Sequence, residues 1–167
     1  MIKFGVGQPV TRLEDARLLR GQGHYQDDTN LPAQLHAVFL RSPHAHARIR
    51  SIEKSAATAA PGVKAIYTGA DYAADGLAMP KAAMPRKKAD GSPMFAPQRP
   101  ALIVDRARYV GDPVAMVIAE TLAQAKDAAE LVEVDYETLP SVTSTADAAR
   151  PDAPRVWDEN PDNISHT

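Results

Sequence analysis

Cysteine is absent from this chain of 167 residues. Its absence excludes disulfides, thiolate zinc sites, cysteine-ligated iron–sulfur clusters and a cysteine nucleophile within the chain, and it is compatible with a reducing cytosol. Long apolar runs are missing too. The longest, VAMVIA at 114–119, is far too short to span a bilayer, and the opening MIKFGVGQPV has no apolar core of a signal peptide. A cytoplasmic protein without a membrane span is the expectation. Charge of one sign is also lacking: 19 Lys and Arg face 21 Asp and Glu, a formal net charge of -2. That balance gives no reason to expect a nucleic acid or an anionic membrane as partner. Neither a GxSxG elbow nor an HExxH helix occurs, so serine-hydrolase and zincin chemistry lack their motifs.

What is present is enough for one domain, since a chain of this length buries roughly 70% of its unfolded surface. From Phe4 to Pro32 no period is sustained, which predicts an extended arm of turns and short strands. Leu35 to Leu40 suits a strand. Pro43 breaks it, and Ala47, Ile49 and Ser51 alternate against Arg48 and Arg50 as a second strand with one wet face. The alanine-rich stretch from Glu53 to Ala60 predicts a helix stopped by Pro61-Gly62, before a strand at Val63 to Thr68. Residues 76–100 carry five prolines (Pro80, Pro85, Pro93, Pro97, Pro100), and predict a surface excursion that only a partner would order.

The second half repeats the strand, helix, strand order. Val114 to Glu120 is apolar on both faces, as a central strand requires. Thr121 and Gln124 have capping-box spacing for a helix whose buried stripe is Leu122, Ala125, Ala129 and Val132, with Lys126, Asp127 and Glu130 wet. Val132 to Glu137 then predicts a strand, ended by Leu139-Pro140. Beyond Pro151 the pattern is lost, and Trp157 has no local apolar partner.

Several residues invite a chemical role. His44 and His46 would share one side of a strand, with His36 as the nearest third donor, but two imidazoles leave a metal site incomplete. Ring nitrogens satisfying backbone carbonyls at a strand entry, or a subunit contact, is the preferred reading. The alternative, a small metal-dependent enzyme using both histidines, predicts stoichiometric zinc or iron. GVGQ and GQGHY do not join a strand to a helix, so turn glycines are expected rather than a phosphate cradle. VGDPV predicts a tight turn with Gly111 at positive φ. Glu14-Asp15 and Asp27-Asp28 are read as caps and solvated turns, since nothing apolar beside them would raise a pKa. Lys81, Arg86, Lys87 and Lys88 form a basic loop without interleaved aromatics. Asn163-Ile164-Ser165 matches a glycosylation acceptor only formally.

Four stretches, taken in order, carry a family resemblance. They are GQPVTRLEDARLLRGQGHYQDD (Gly7 to Asp28), LRSPHAHARI (Leu40 to Ile49), APGVKAIYTGAD (Ala60 to Asp71) and RYVGDPVAMVIAETLAQAKDAAELVEVDYETLP (Arg108 to Pro140). Together they resemble the N-terminal α/β hammerhead domain of the molybdenum-binding large subunit in the xanthine dehydrogenase and aldehyde oxidase family. The opening looks most like large chains of the aerobic carbon monoxide dehydrogenase type. The resemblance implies an α+β fold, an α/β hammerhead with a mixed sheet, two covering helices and an extended N-terminal arm, over residues 1–150. Residues 151–167 would then lead toward a molybdopterin-binding domain.

For function, the resemblance implies an oxidoreductase in which molybdenum on a molybdopterin cytosine dinucleotide works with water as the oxygen source. Electrons then leave through [2Fe-2S] clusters on a small subunit to FAD on a medium subunit, or along a fused chain. The implied partners are the remainder of the large subunit and those two subunits, in an oligomer. The family's cofactor-binding and catalytic loops come after the hammerhead. No stretch here matches them, so no catalytic, cofactor-binding or metal-binding residue is carried over, and the chain alone is expected to be inactive. A freestanding assembly or binding module, docking through the arm before Pro32, is the alternative.

Overall fold

The computed structural model describes residues 7, 9, 11–77 and 86–166. These fall into two units, Met1–Gln34 and Leu35–Thr167. In the first, a single helical turn, α1 (Asp15–Leu18), is followed by a 3-10 turn at Gln26–Asp28. No strand occurs there among the described residues, although short strands were expected. The reason is local: Arg12 pairs with Asp15 at 2.9 Å and Arg17 with Glu14 at 3.1 Å, both at a spacing of three residues that a helical turn brings together.

The second unit contains β1 (His36–Arg41), β2 (Ala47–Glu53), α2 (Ser55–Thr58), β3 (Val63–Thr68), α3 (Gly69–Ala74), β4 (Arg106–Ala107), β5 (Pro113–Ala119), α4 (Leu122–Glu130), β6 (Glu133–Thr138) and α5 (Thr145–Ala148). Among the described residues the strands form two three-stranded sheets, β1-β5-β3 and β4-β2-β6, and every pairing is antiparallel. The α+β class therefore holds, but the strands divide where one mixed sheet was expected. Connectivity explains it. Both strand, helix, strand units, β2-α2-β3 and β5-α4-β6, begin in one sheet and end in the other, so neither helix joins parallel strands within a sheet.

β5 is central in its sheet, and its two faces face different surroundings. Val117 packs with Ala57, Ile66, Ala128, Ala129 and Val132 under α2 and α4, whereas Val114 joins Ile103 and Ala107 against the second sheet. Ile52 and Val134 pack against both clusters and so tie the two cores together. Along β2 the expected alternation fails halfway. Ile49 pairs with Tyr136 but Ser51 with Asp135, so Arg50 is an extra residue, and beyond it Ile52 rather than Ser51 turns inward.

α4 begins on the anticipated capping box: Thr121 Oγ1 accepts the Gln124 backbone N–H at 3.2 Å, and Gln124 Oε1 accepts the Thr121 N–H at 3.1 Å. Its buried stripe is shifted, however. Ala125, Ala128 and Ala129 are buried, while Leu122, in the first turn at the edge of the contact, is 47% exposed.

One further expectation is corrected. Residues 86–95 make a small hairpin within the chain, with Lys88 N–H on Ser92 O at 2.8 Å and Met94 N–H on Arg86 O at 3.0 Å. Asp90-Gly91 turns it, Gly91 taking a φ of 83°. The prolines Pro80 and Pro85 and the basic Lys81 lie outside the described residues. The tail, moreover, has specific contacts with the body of its unit, as follows.

Candidate functional site

The histidine pair sits in the corner between β1 and β2, ahead of the strand on which it was expected. Buried Ser42 shapes that corner: its Oγ accepts the His44 N–H at 3.1 Å, and its own N–H donates to Asp112 O at 2.9 Å. His46 is buried and its Nδ1 lies 2.7 Å from Pro140 O. A carbonyl only accepts, so Nδ1 carries the proton. His44 rests edge-on against Tyr136, centroids 4.9 Å apart. Burial pushes the Tyr136 phenol up from its ordinary value. His36 is at the far end of β1. The three imidazoles are thus not brought together, and among the described residues no three His, Asp or Glu side chains are grouped to hold a metal.

The paired carboxylates are held by local partners. Asp15 and Glu14 take the arginines named above, and Asp28 Oδ2 accepts the Tyr25 N–H at 2.8 Å. Arg86 Nη1 lies 3.3 Å from His166 Nε2.

The chain's polar and aromatic groups converge elsewhere, around Trp157. Its ring carries the Arg108 guanidinium 3.8 Å above the centroid, and Phe95 meets it at 6.1 Å in an edge contact. The lone tryptophan therefore has partners far away in sequence, which its neighbours could not reveal. Arg108 is fixed by donating Nε to Val156 O and Nη1 to Arg106 O, both at 3.3 Å. Burial pulls its pKa down, opposed chiefly by Asp105. Asp112, in the turn that Gly111 opens at φ 94°, accepts the Arg108 N–H at 2.9 Å. Burial, helped by Asp112, pushes the Tyr109 phenol up. Arg108, Tyr109, Asp112 and Trp157, with Arg99 and Ile103, line a cavity of about 420 Å³.

The tail that carries Trp157 is organised by Asn163. Its Oδ1 accepts the Val156 N–H at 2.9 Å, and its Nδ2 donates to Ala148 O at 3.1 Å and Pro154 O at 3.0 Å. Arg106 adds an ion pair to Asp158 at 3.1 Å, and Ser165 Oγ donates to Phe95 O at 2.8 Å. The formal glycosylation motif is in fact a structural staple. Its one advance sign is that asparagine tolerates positive φ, which Asn163 adopts at 57°.

Comparison with known proteins places this architecture. Residues 20–140 match the family model described as aldehyde oxidase and xanthine dehydrogenase, a/b hammerhead domain. The chain is 42% identical to the nicotine 6-hydroxylase large subunit of Paenarthrobacter nicotinovorans, over 95% of this chain and 19% of that protein. It is 41% identical to the carbon monoxide dehydrogenase large chain of Afipia carboxidovorans, over 96% of this chain and 18% of that one. The crystal structure of quinoline 2-oxidoreductase from Pseudomonas putida 86 superposes with a TM-score of 0.81 at 40% identity, covering 95% of this chain and 19% of that one. The chain belongs to the aldehyde oxidase and xanthine dehydrogenase a/b hammerhead family. It spans about a fifth of the length of these relatives.

The fold family brings a molybdenum pterin into question, and the donors described here do not compose a site for it. His46 Nε2, the ring nitrogen left with the free lone pair, is buried without a hydrogen-bond partner, but among the described residues no group of three His, Asp or Glu donors stands there to complete a metal site. No step of molybdenum chemistry is assigned to these residues. No helix is long and apolar enough to cross a membrane, among the described residues.

Proposed function

We propose that the chain is the hammerhead part of a molybdenum hydroxylase large subunit, an oxidoreductase, and that it supplies shape and subunit contact rather than chemistry. The observation carrying this reading is the extent of the match: 95% of this chain aligns with only 19% of the nicotine 6-hydroxylase large subunit. Nearly all of this chain is thus shared, and most of the relative lies outside the match. On this reading residues 1–150 form the domain and 151–167 lead onward. Molybdopterin cytosine dinucleotide with molybdenum is held by the remainder of the large subunit, while [2Fe-2S] clusters and FAD reside on small and medium partner subunits in the cytoplasm. The names of the relatives suggest a small substrate, such as the N-heterocycles nicotine and quinoline, or carbon monoxide.

The test replaces the matching segment of the nicotine 6-hydroxylase large subunit with this chain and measures bound molybdenum and dye reduction by nicotine, beside the chain alone. The chimera is expected to load molybdenum and turn over. The chain alone is expected to hold no stoichiometric molybdenum and reduce no dye. Turnover by the chain alone, or a soluble chimera that assembles without molybdenum, refutes the proposal.

A further inference from the structure

The cavity beside Trp157 has a chemistry that the family role does not use. Of its charged lining groups, Arg99 and Arg108 are positive and Asp112 is negative, leaving an excess of one positive charge. Neither arginine has a carboxylate within ion-pair distance among the described residues. Arg108 is held in place through Nε and Nη1, which leaves Nη2 without a hydrogen bond among the described residues, and the carboxylates of Asp105, Glu159 and Asp112 act on it only from longer range. A partly desolvated guanidinium in this state gains from a ligand carboxylate that takes its remaining donors. Asp112 is turned to the Arg108 backbone and toward Tyr109. It stands against a ligand carrying more than one negative charge.

Shape supplies the second constraint. Trp157 and Tyr109 give the cavity aromatic walls, with Ile103 and Pro100 as apolar lining, and its volume of about 420 Å³ is in the range that encloses one small molecule. Flat surfaces of this kind favour a planar ring, by stacking on the aromatic side chains or on the guanidinium. We infer that this cavity binds a small planar monoanion, an aromatic or heteroaromatic carboxylate, with Arg99 and Arg108 taking the carboxylate and Trp157 and Tyr109 the ring.

Trp157 is the single tryptophan of the chain, so its indole N–H gives one signal in a proton–nitrogen correlation spectrum and reports from the cavity wall. Benzoate titrated into the 167-residue protein is expected to shift that signal saturably, with a dissociation constant of about a millimolar, as befits so small a ligand. Benzyl alcohol, with the ring but no charge, and acetate, with the charge but no ring, are each expected to bind at least about tenfold more weakly. Arg99→Gln removes an exposed side chain that makes no hydrogen bond among the described residues, so the fold should persist while benzoate affinity falls about tenfold. The inference is overturned by an indole signal indifferent to benzoate, by equal binding of benzyl alcohol, or by a folded Arg99→Gln protein that binds benzoate as well as the parent.

Discussion

Gly69 opens α3 where the chain passes directly against another backbone. A methyl group there would press on the Ile103 carbonyl and lie 2.7 Å from Val104 Cα. Alanine is the better helix former by up to about 1 kcal/mol. Backbone cannot swing aside as a flexible side chain can, so the clash decides the sign. Gly69→Ala is expected to destabilise the protein by about 1–3 kcal/mol, measured as a lower urea midpoint. Two residues on, Asp71 Oδ2 accepts the Thr68 hydroxyl and the Thr68 N–H, each at 2.7 Å, and the Lys54 ammonium at 3.1 Å. The Thr68 hydroxyl above all, then the Thr68 N–H and Lys54, hold this carboxyl below its ordinary value.

A pKa lowered by folding contributes stability above the unfolded value, about 4, and that contribution is lost as pH falls through the folded value. The stability advantage of the parent over Asp71→Asn should therefore be full at pH 7 and shrink as the pH is taken below about 4. Urea titrations of both proteins at those pH values check it, and an advantage constant with pH would contradict it. The size will be modest, because the Asp71 side chain is 40% exposed and its ion pair is screened.

At the scale of elements, local signals were legible and distant ones were not. The Thr121–Gln124 capping box, the apolar run of β5 and the Gly111 turn each depend on residues within a few positions, and each forms as the spacing predicts. The bulge at Arg50 is invisible to a period-two reading, because it arises from pairing with β6, some 80 residues on. The hairpin at 86–95 had a signal that proline content obscured: Asp90-Gly91 is itself a hairpin turn sequence. In the candidate site, Arg108 and Trp157 meet across 48 intervening residues, so neither suggests the other in advance.

Asn163 holds the tail element by three hydrogen bonds, and Asn163→Ala leaves a backbone N–H and two carbonyls to find other partners. A loss of about 1–3 kcal/mol in the stability of the tail is expected. It should appear as faster proteolysis after Ala148 and a red shift of Trp157 fluorescence, while α4 and the sheets stay intact by circular dichroism. Unchanged proteolysis would show that the staple is dispensable.

For the unit Leu35–Thr167 as a whole, the register of the β1-β5-β3 sheet has a consequence for association. Met116 pairs with Phe39 on one side and Tyr67 on the other, and Ile118 pairs with Ala37 and Ala65. Side chains alternate along a strand, so these six apolar residues share the face opposite α4. Phe39 and Tyr67 are each 41% exposed there. Its rim is charged: the Arg41 guanidinium stands 5.7 Å from the Phe39 ring, and Lys64 pairs with Glu120 at 2.7 Å. An apolar patch with a polar rim is the pattern of a contact surface, and for the isolated chain the available occupant is a second copy. Six side chains bury less than a standard interface, so the association should be weak, at about micromolar or higher concentration.

Light scattering over a dilution series is expected to show a concentration-dependent rise in mass. Phe39→Lys, placing a charge on an exposed edge-strand position, should return the protein to monomer without loss of secondary structure. A parent that stays monomeric throughout, or an association that Phe39→Lys leaves untouched, would mean that this face is not the contact.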